Sequence, residues 1–148
     1  MKLAEKAFNL RTIKENFVFN DIKFDDNDCD DFPAQINSFG HIYKGQWRNM
    51  LKQGRGTMIF SSGGIYEGYW VNDEKSGRGR YLWSDGLQYE GEWKDDFCHG
   101  FGILIKANGD KYEGEFANHK KEGCGTQTYS DGSIYEGQWK NNVKSGKG

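Results

Sequence analysis

The chain has 148 residues, of which 35% are hydrophobic and 16% aromatic, and it contains 21 glycines. This length suffices for one domain or a short array with a modest core, and the aromatic content excludes a disordered chain. The net charge of −2 disfavours nucleic acid, and to a lesser degree an anionic membrane, because both attract a concentrated basic face.

Residues 1–31 are predicted to be an extension before the main body of the chain. The spacing of apolar residues predicts a helix over residues 2–15. Five aspartates between residues 25 and 31 follow, and they begin like a calcium loop. Asp31 stands where that loop requires glycine, so we expect an acidic linker and no metal site.

A tyrosine recurs every 23 residues without an insertion. We number positions within each repeat from this tyrosine, which is position 0. Glycine recurs at positions 2, 11, 13 and 20, and a large ring recurs at position 4. Repeats of this length stack into arrays. The predicted units are 43–65, 66–88, 89–111, 112–134 and an incomplete 135–148, preceded by a degenerate half-repeat over residues 32–42 that caps the first edge.

Each repeat is predicted to form two short strands, because Tyr-x-Gly-x-Trp alternates with period two and the second half is rich in β-formers. The segments Ser84-Asp-Gly86, Ala107-Asn-Gly109 and Ser130-Asp-Gly132 fit a three-residue hairpin loop. Its odd length keeps the rings on one face despite the odd period. The expected fold is all-β, an elongated single layer of antiparallel hairpins with a short N-terminal helical or irregular extension.

Alternation places the tyrosine, the glycine and the ring of each first strand on one face, with glycine making room for the rings. The opposite face carries Glu90, Glu92, Glu113 and Glu115, which we interpret as a solvated carboxylate ladder. A wide aromatic surface favours protein binding, although the rings can also pack only on glycines and on each other. The predicted partner-binding face is Tyr43, Trp47, Tyr66, Trp70, Tyr81, Trp83, Tyr89, Trp93, Tyr112, Phe116, Tyr135 and Trp139.

The sequence predicts no catalytic residue, no cofactor and no metal site. Cys98, His99, His119 and Cys124 are the only cluster of metal-ligand types, and their spacing matches no zinc motif. With Cys29, the odd number of cysteines favours free thiols in a reducing compartment. No apolar run reaches the length of a signal peptide or a membrane span. A cytoplasmic protein is therefore expected.

This 23-residue unit, Tyr-Glu-Gly-x-Trp followed by Asn or Asp, Gly-x-Gly and Asp-Gly, resembles the MORN repeat (membrane occupation and recognition nexus). The resemblance covers residues 43–148 and implies a rod of hairpins without enzymatic activity. Two departures stand out. Lys106 and Gln127 replace aromatic residues at positions 17 and 15. The usual glycine at position 7, which suits a left-handed turn, is replaced by Met50, Asp73, Asp96, His119 and Asn142.

The resemblance implies a non-enzymatic scaffold that docks a partner helix or strand, within a cytoskeletal or ciliary (axonemal) assembly. The alternatives are a peripheral membrane or phosphoinositide-binding module, for which Lys120 and Lys121 with Lys140, Lys144 and Lys147 are the nearest basic cluster, and a regulatory segment of a larger protein. The sequence stops at Gly148, before the fifth repeat completes its second strand. We therefore expect a longer protein, or edge pairing or dimerisation at this end.

Overall fold

The computed structural model describes residues 30–146 and 148, so the predicted helix over 2–15 and most of the acidic linker lie outside the described residues. Within the described range the chain is all-β, without a helix, and forms one open sheet of eleven antiparallel strands in chain order. The strands are β1 Asp30–Ile36, β2 Ile42–Arg48, β3 Leu51–Ile59, β4 Ile65–Val71, β5 Glu74–Leu82, β6 Gln88–Lys94, β7 Phe97–Ile105, β8 Lys111–Ala117, β9 Lys120–Thr128, β10 Ile134–Lys140 and β11 Val143–Ser145.

Each complete repeat supplies one seven-residue strand and one nine-residue strand, as β4 and β5 illustrate. The extensive contacts are all between strands that are consecutive in the chain. The prediction of a single-layer array of antiparallel hairpins is therefore confirmed. Strand β1 pairs with β2, and residues 37–41 between them close a loop through hydrogen bonds of 2.9 and 3.0 Å.

The connection between repeats is the predicted three-residue hairpin loop. Trp83 N–H donates to Leu87 O at 2.8 Å, and Gly86 N–H donates to Trp83 O at 3.1 Å. Gly86 has a φ of 91°, in the left-handed region where glycine is favoured. This loop places Tyr81 opposite Tyr89, so the rings of successive repeats remain on one face.

The connection within each repeat is a two-residue turn in which both residues are left-handed. In the second repeat, Asn72 and Asp73 have φ values of 47° and 70°. These values are those of a type I′ turn, whose twist matches the flanking strands. The corresponding residues of the other four repeats adopt the same conformation without glycine. The turn is therefore left-handed even though glycine, the usual residue at position 7, is absent.

A bulge interrupts the register inside each of the four complete repeats. Gly68 pairs with Gly79 and Trp70 pairs with Lys75, so one residue of β4 faces three residues of β5. Gly77, at position 11, lies in the middle of this bulge with a φ of 69°. The extra residues are even in number, so alternation of faces survives the bulge. The sequence pattern did not predict this bulge.

The core lies on one face of the sheet, where tyrosine rings lie across pairs of glycines. A Cβ at Gly79 would collide with the Tyr66 ring, and a Cβ at Gly68 would lie 2.5 Å from the Tyr66 hydroxyl oxygen. That hydroxyl donates to Tyr69 O at 2.9 Å. Glycine at positions 2 and 13 is therefore required by the close approach of the ring.

The tryptophans at position 4 join neighbouring repeats. Trp70 Nε1 donates to Gly56 O of the preceding repeat at 3.2 Å. Its ring meets Tyr66 edge to face at a centroid distance of 5.0 Å and Tyr43 of the preceding repeat at 5.6 Å. Edge-to-face contacts of this kind stabilise aromatic clusters beyond their buried area. The repeats are thus connected through side chains as well as through the strand ladders.

Candidate partner-binding face

The twelve predicted face residues divide into a buried group and a partly exposed group. The buried group forms the core of the sheet and comprises Tyr43, Tyr66, Trp70, Tyr89, Trp93, Tyr112, Phe116 and Trp139. Trp47, Tyr81, Trp83 and Tyr135 are partly exposed and pack against that core. Tyr66 and Tyr89 are 0% exposed. Rings in the first group are therefore held in the fold and present little surface to another molecule.

Besides Trp47 and Tyr135, the accessible part of this face comes from positions 15 and 17. The partly exposed rings of Phe60, Tyr81 and Trp83 and the aliphatic side chain of Leu104 pack on the buried rings. We call these four residues the outer ring layer. Tyr81 stacks on Phe60 at 5.4 Å and lies 4.3 Å from Trp83, measured between ring centroids. Phe60 and Leu104 were absent from the predicted face. Phe60 lies at position 17 of its repeat and Leu104 at position 15, and these positions could have identified both residues as part of the face.

A lysine at position 9 lies beneath the outer ring layer. Lys75 Nζ is 5.5 Å from the Trp93 ring centroid and 5.7 Å from that of Tyr81. The same ammonium forms an ion pair with Asp96 at 3.4 Å. A desolvated ammonium over aromatic faces is stabilised by the ring quadrupoles. The positive charge of Lys75 below these rings is therefore neutralised by Asp96.

In the second to fifth repeats, the residue at position 7 connects its repeat to the one before it. Lys75 N–H donates to Asp96 Oδ1 at 2.7 Å, and Asp96 N–H donates to Lys75 O at 3.1 Å. The acceptors His119 and Asn142 take the equivalent N–H of Cys98 and Lys121 at 3.1 and 2.8 Å. Glycine would offer no side-chain acceptor here. This explains the absence of glycine from position 7 of the second to fifth repeats, although the backbone there is left-handed.

Burial governs the titration of Cys98 in the third repeat and His119 in the fourth, which replace the lysine and aspartate of the equivalent pairs. Burial raises the pKa of the Cys98 thiol to about 12. Burial, followed by the nearby Lys75 ammonium, lowers the pKa of His119. Cys98 is therefore a neutral thiol without nucleophilic character at neutral pH. Among the residues that the structure describes, no group of three or more His, Cys, Asp or Glu side chains can hold a metal ion.

The opposite face carries mixed charge. Glu90 pairs with Arg78 at 3.0 Å, and Glu113 pairs with Lys111 at 3.1 Å. Glu115 Oε2 accepts the N–H of Cys124 in the bulge at 2.7 Å. Three of the four carboxylates of the predicted ladder are thus paired with a cation or a backbone N–H. Within the described part of the chain, no helix is long and apolar enough to cross a membrane.

Comparison with known proteins gives one family. The MORN repeat family matches residues 43–65, 66–88, 89–111, 112–134 and 135–148. Curated protein sequences returned no match. A solved structure of a catalytically inactive virginiamycin B lyase from Staphylococcus aureus with quinupristin is 16% identical over 86% of this chain and 45% of that chain, with a TM-score of 0.20. The chain spans less than half of that protein, and so low a score supports no conclusion about fold or function.

Proposed function

The chain belongs to the MORN repeat family, and on that premise we propose that it is a non-enzymatic scaffold whose outer ring layer holds a helix or strand of a protein partner. Repeats of this family typically mediate protein or membrane interactions. The observation that carries the proposal is a strip of partly exposed rings supported by a buried ring layer. Such a strip has the composition and the rigid support of protein-binding hot spots.

Rigidity supports docking on this face. Tyr66 and Trp70 below the strip are fixed by hydrogen bonds to backbone oxygens of 2.9 and 3.2 Å. A surface that is already ordered loses little conformational entropy when a partner binds. The outer ring layer is therefore pre-organised, although no single copy of the repeat supplies it.

The spacing of the repeats favours a helix as the docked element. Equivalent positions in successive repeats lie two strands apart, which is about 9.6 Å. Seven residues of an α-helix rise about 10.5 Å. A helix lying across the strands with an apolar residue at every seventh position would therefore place one side chain on each repeat.

The proposed setting is a cytoskeletal or ciliary assembly in the cytoplasm. Its support is the resemblance of the repeats to those found in such scaffolds. Edge pairing at the C-terminal end and a role as a regulatory segment of a larger protein remain predictions.

The test compares two double variants in pull-downs from cytoskeletal and ciliary extracts. Phe60→Ser/Trp83→Ser removes rings from the outer layer, whereas Phe97→Ser/Phe101→Ser removes exposed rings from the opposite face, where they are 44% and 57% exposed. Circular dichroism is used to check that both variants fold. We expect the first variant to lose the partners of the wild type and the second to retain them.

Retention of every partner by the Phe60→Ser/Trp83→Ser variant would contradict docking on this face. Co-sedimentation with phosphatidylserine vesicles tests the membrane alternative. Strong binding that falls with salt would favour a peripheral membrane module, because attraction between exposed charges is screened.

A further inference from the structure

A groove of about 370 Å³ opens on the ring face where repeats three, four and five meet. Lys106, Lys121 and Lys144 line it together with Asp110, Gln127 and Tyr129. Lys121 Nζ lies 4.8 Å from the Trp139 ring centroid, and Lys144 Nζ lies 5.1 Å from that of Tyr129. Three ammonium groups and one carboxylate thus share an aromatic-walled recess.

The same place on the scaffold, two repeats earlier, provides an internal comparison. A shift of 46 residues, twice the period of 23, replaces Lys106 by Phe60 and Gln127 by Tyr81. Phe60 and Tyr81 stack at 5.4 Å and fill the earlier copy with rings. The later copy has lost this stack, so the groove arises from these two replacements.

The two copies also differ in charge. Lys75 of the earlier copy forms an ion pair with Asp96. Its counterpart Lys121 meets Asn142, whose neutral Oδ1 accepts only the Lys121 backbone N–H at 2.8 Å. Lys121 Nζ instead donates to Gln127 Oε1 at 2.7 Å. Among residues 30–146 and 148, Lys106, Lys121 and Lys144 form no ion pair closer than 4.0 Å.

The surroundings of Lys121 leave its charge poorly compensated. Burial, followed by the Lys106 ammonium, lowers the pKa of Lys121, while Asp110 acts in the opposite direction. The Asp110 carboxylate is already engaged, since its Oδ1 accepts Ser130 N–H at 2.8 Å. An added carboxylate in the groove would relieve repulsion among the lysines and gain charge-assisted hydrogen bonds.

We propose that this groove binds the carboxylates of an acidic segment in the protein partner. The inference rests on the proposed function, and it assigns the partner a polarity: apolar residues over the outer ring layer in repeats one and two, and Asp or Glu over the lysines in repeats three to five. The earlier copy is filled by the Phe60–Tyr81 stack, and its Lys75 is already paired with Asp96, so a carboxylate finds neither room nor an unpaired ammonium there. The charge difference therefore fixes the direction in which the partner lies along the sheet.

A peptide suits this groove better than an anionic membrane does. Membrane attraction requires clusters of about four to eight basic residues near the lipid surface. Here three lysines share a recess with Asp110, and Lys121 is half-buried among rings rather than projecting from the surface. A single extended chain can reach into such a recess, whereas a flat bilayer cannot.

The test selects peptides from a random library displayed on phage, using immobilised full-length protein. The wild type is compared with Lys106→Gln/Lys144→Gln and with the matched control Lys94→Gln/Lys140→Gln, which removes the same charge from exposed positions on the opposite face. Phe60→Ser/Trp83→Ser is selected in parallel. We expect Asp and Glu to be enriched in peptides selected on the wild type and on the control. A selected peptide should bind the groove variant about tenfold more weakly, since two partly exposed charge pairs are lost.

The outcomes separate the two proposals. Peptides without enrichment of Asp and Glu, or with undiminished affinity for the groove variant, would overturn the carboxylate site, and their loss on the Phe60→Ser/Trp83→Ser variant would leave the proposed function standing. Selection of no peptide on any protein would overturn both. Phosphatidylserine vesicles could also compete with a selected peptide for the lysines where phosphatidylcholine vesicles do not. That result would identify the ligand as a membrane and would overturn the inference.

Discussion

At the scale of single residues, the fold depends on how closely each tyrosine ring approaches glycine. The ring of Tyr89 occupies the space that a Cβ at Gly102 would need, and its hydroxyl donates to Glu92 O at 2.8 Å. A side chain in place of Gly102 would displace the Tyr89 ring and break the hydrogen bond of its hydroxyl. Tyr and Gly are thus complementary halves of one contact.

We predict that Gly102→Ala lowers the free energy of unfolding by about 3 kcal/mol, because the added methyl overpacks the core against Tyr89. Gly109→Ala is the control, since no atom lies within 4 Å of a Cβ there although φ is +95°. Its backbone strain should cost about 1 kcal/mol. Urea denaturation measures both, and equal losses would contradict the role of the ring.

At the scale of the elements, position 7 shows a compromise between backbone strain and hydrogen bonding. Asp73 adopts a φ of 70°, yet its Oδ1 accepts Lys52 N–H at 2.7 Å and forms an ion pair with Lys52 Nζ at 3.1 Å. Met50 has nearly the same φ of 65° and is 91% exposed. Only the residues that reach a preceding repeat are compensated for the strain.

Met50→Gly is therefore expected to raise the free energy of unfolding by about 1 kcal/mol, because glycine relieves the left-handed strain and no hydrogen bond is lost. Asp73→Gly should give no such gain, since it also removes the contacts to Lys52. Thermal denaturation of the two variants tests this contrast. A gain in the Asp73 variant as large as in the Met50 variant would show that the contacts to Lys52 contribute little.

The turn of the fourth repeat should make stability depend on pH. Neutral His119 Nδ1 accepts Cys98 N–H at 3.1 Å, and the folded protein lowers the pKa of His119. The unfolded chain therefore binds the proton first, so this contribution is present above the unfolded pKa of about 6.5 and is lost as pH falls below it. Urea midpoints between pH 7.5 and pH 5 should fall more steeply for the wild type than for His119→Asn. His99→Asn, which leaves the bond intact, is the control, and parallel curves for all three proteins would refute the role of His119.

Local patterns predicted much of each element. Ser84-Asp-Gly86 specified the loop, and the two-residue alternation of Tyr66, Gly68 and Trp70 specified their common face. The bulge at Gly77 was missed because glycine has many uses in a strand. The bonds made by position 7 were missed because they join residues 21 positions apart across a turn. Such contacts require knowledge of which strand lies alongside.

At the scale of the whole molecule, the sheet is an array in which each repeat depends on its neighbours. Asp96 bonds back to Lys75 as Asp73 bonds back to Lys52. An array of this kind is stabilised by the intrinsic stability of each unit and by the interfaces between units. Such an array can therefore be lengthened or shortened only by whole repeats.

Deletion of residues 66–88 should give a shorter but folded sheet. The deletion joins Ile65 to Tyr89, which restores the junction of two repeats, and it leaves Asp96 to accept the Lys52 N–H. Deletion of residues 66–87 shifts the downstream chain by one residue at the junction, which turns side chains to the wrong face. We expect cooperative unfolding for the first protein and its loss for the second, measured by circular dichroism. Similar unfolding of both would contradict a register fixed by the period.

The candidate partner-binding face was less predictable than the fold. Strand alternation placed Tyr66 and Tyr81 on the same face, but it could not show that Tyr66 would be fully buried while Tyr81 remained partly exposed. That difference arises from packing between repeats, which brings Trp93 over Tyr66 at 5.3 Å. Lys106 and Gln127 stood out as departures from the repeat, yet the groove that they open became apparent only beside Lys121 and Lys144.

The chain order of the strands has a mechanical consequence. The first and last described strands lie at opposite edges of the sheet, so tension applied at these ends pulls across the hydrogen bonds and not along the strands. Ladders loaded in this direction open one after another. Each repeat of 23 residues would release roughly 80 Å of extended chain. A helix bound across several repeats would clamp neighbouring ladders together, so the scaffold would resist stretching best while its partner is in place.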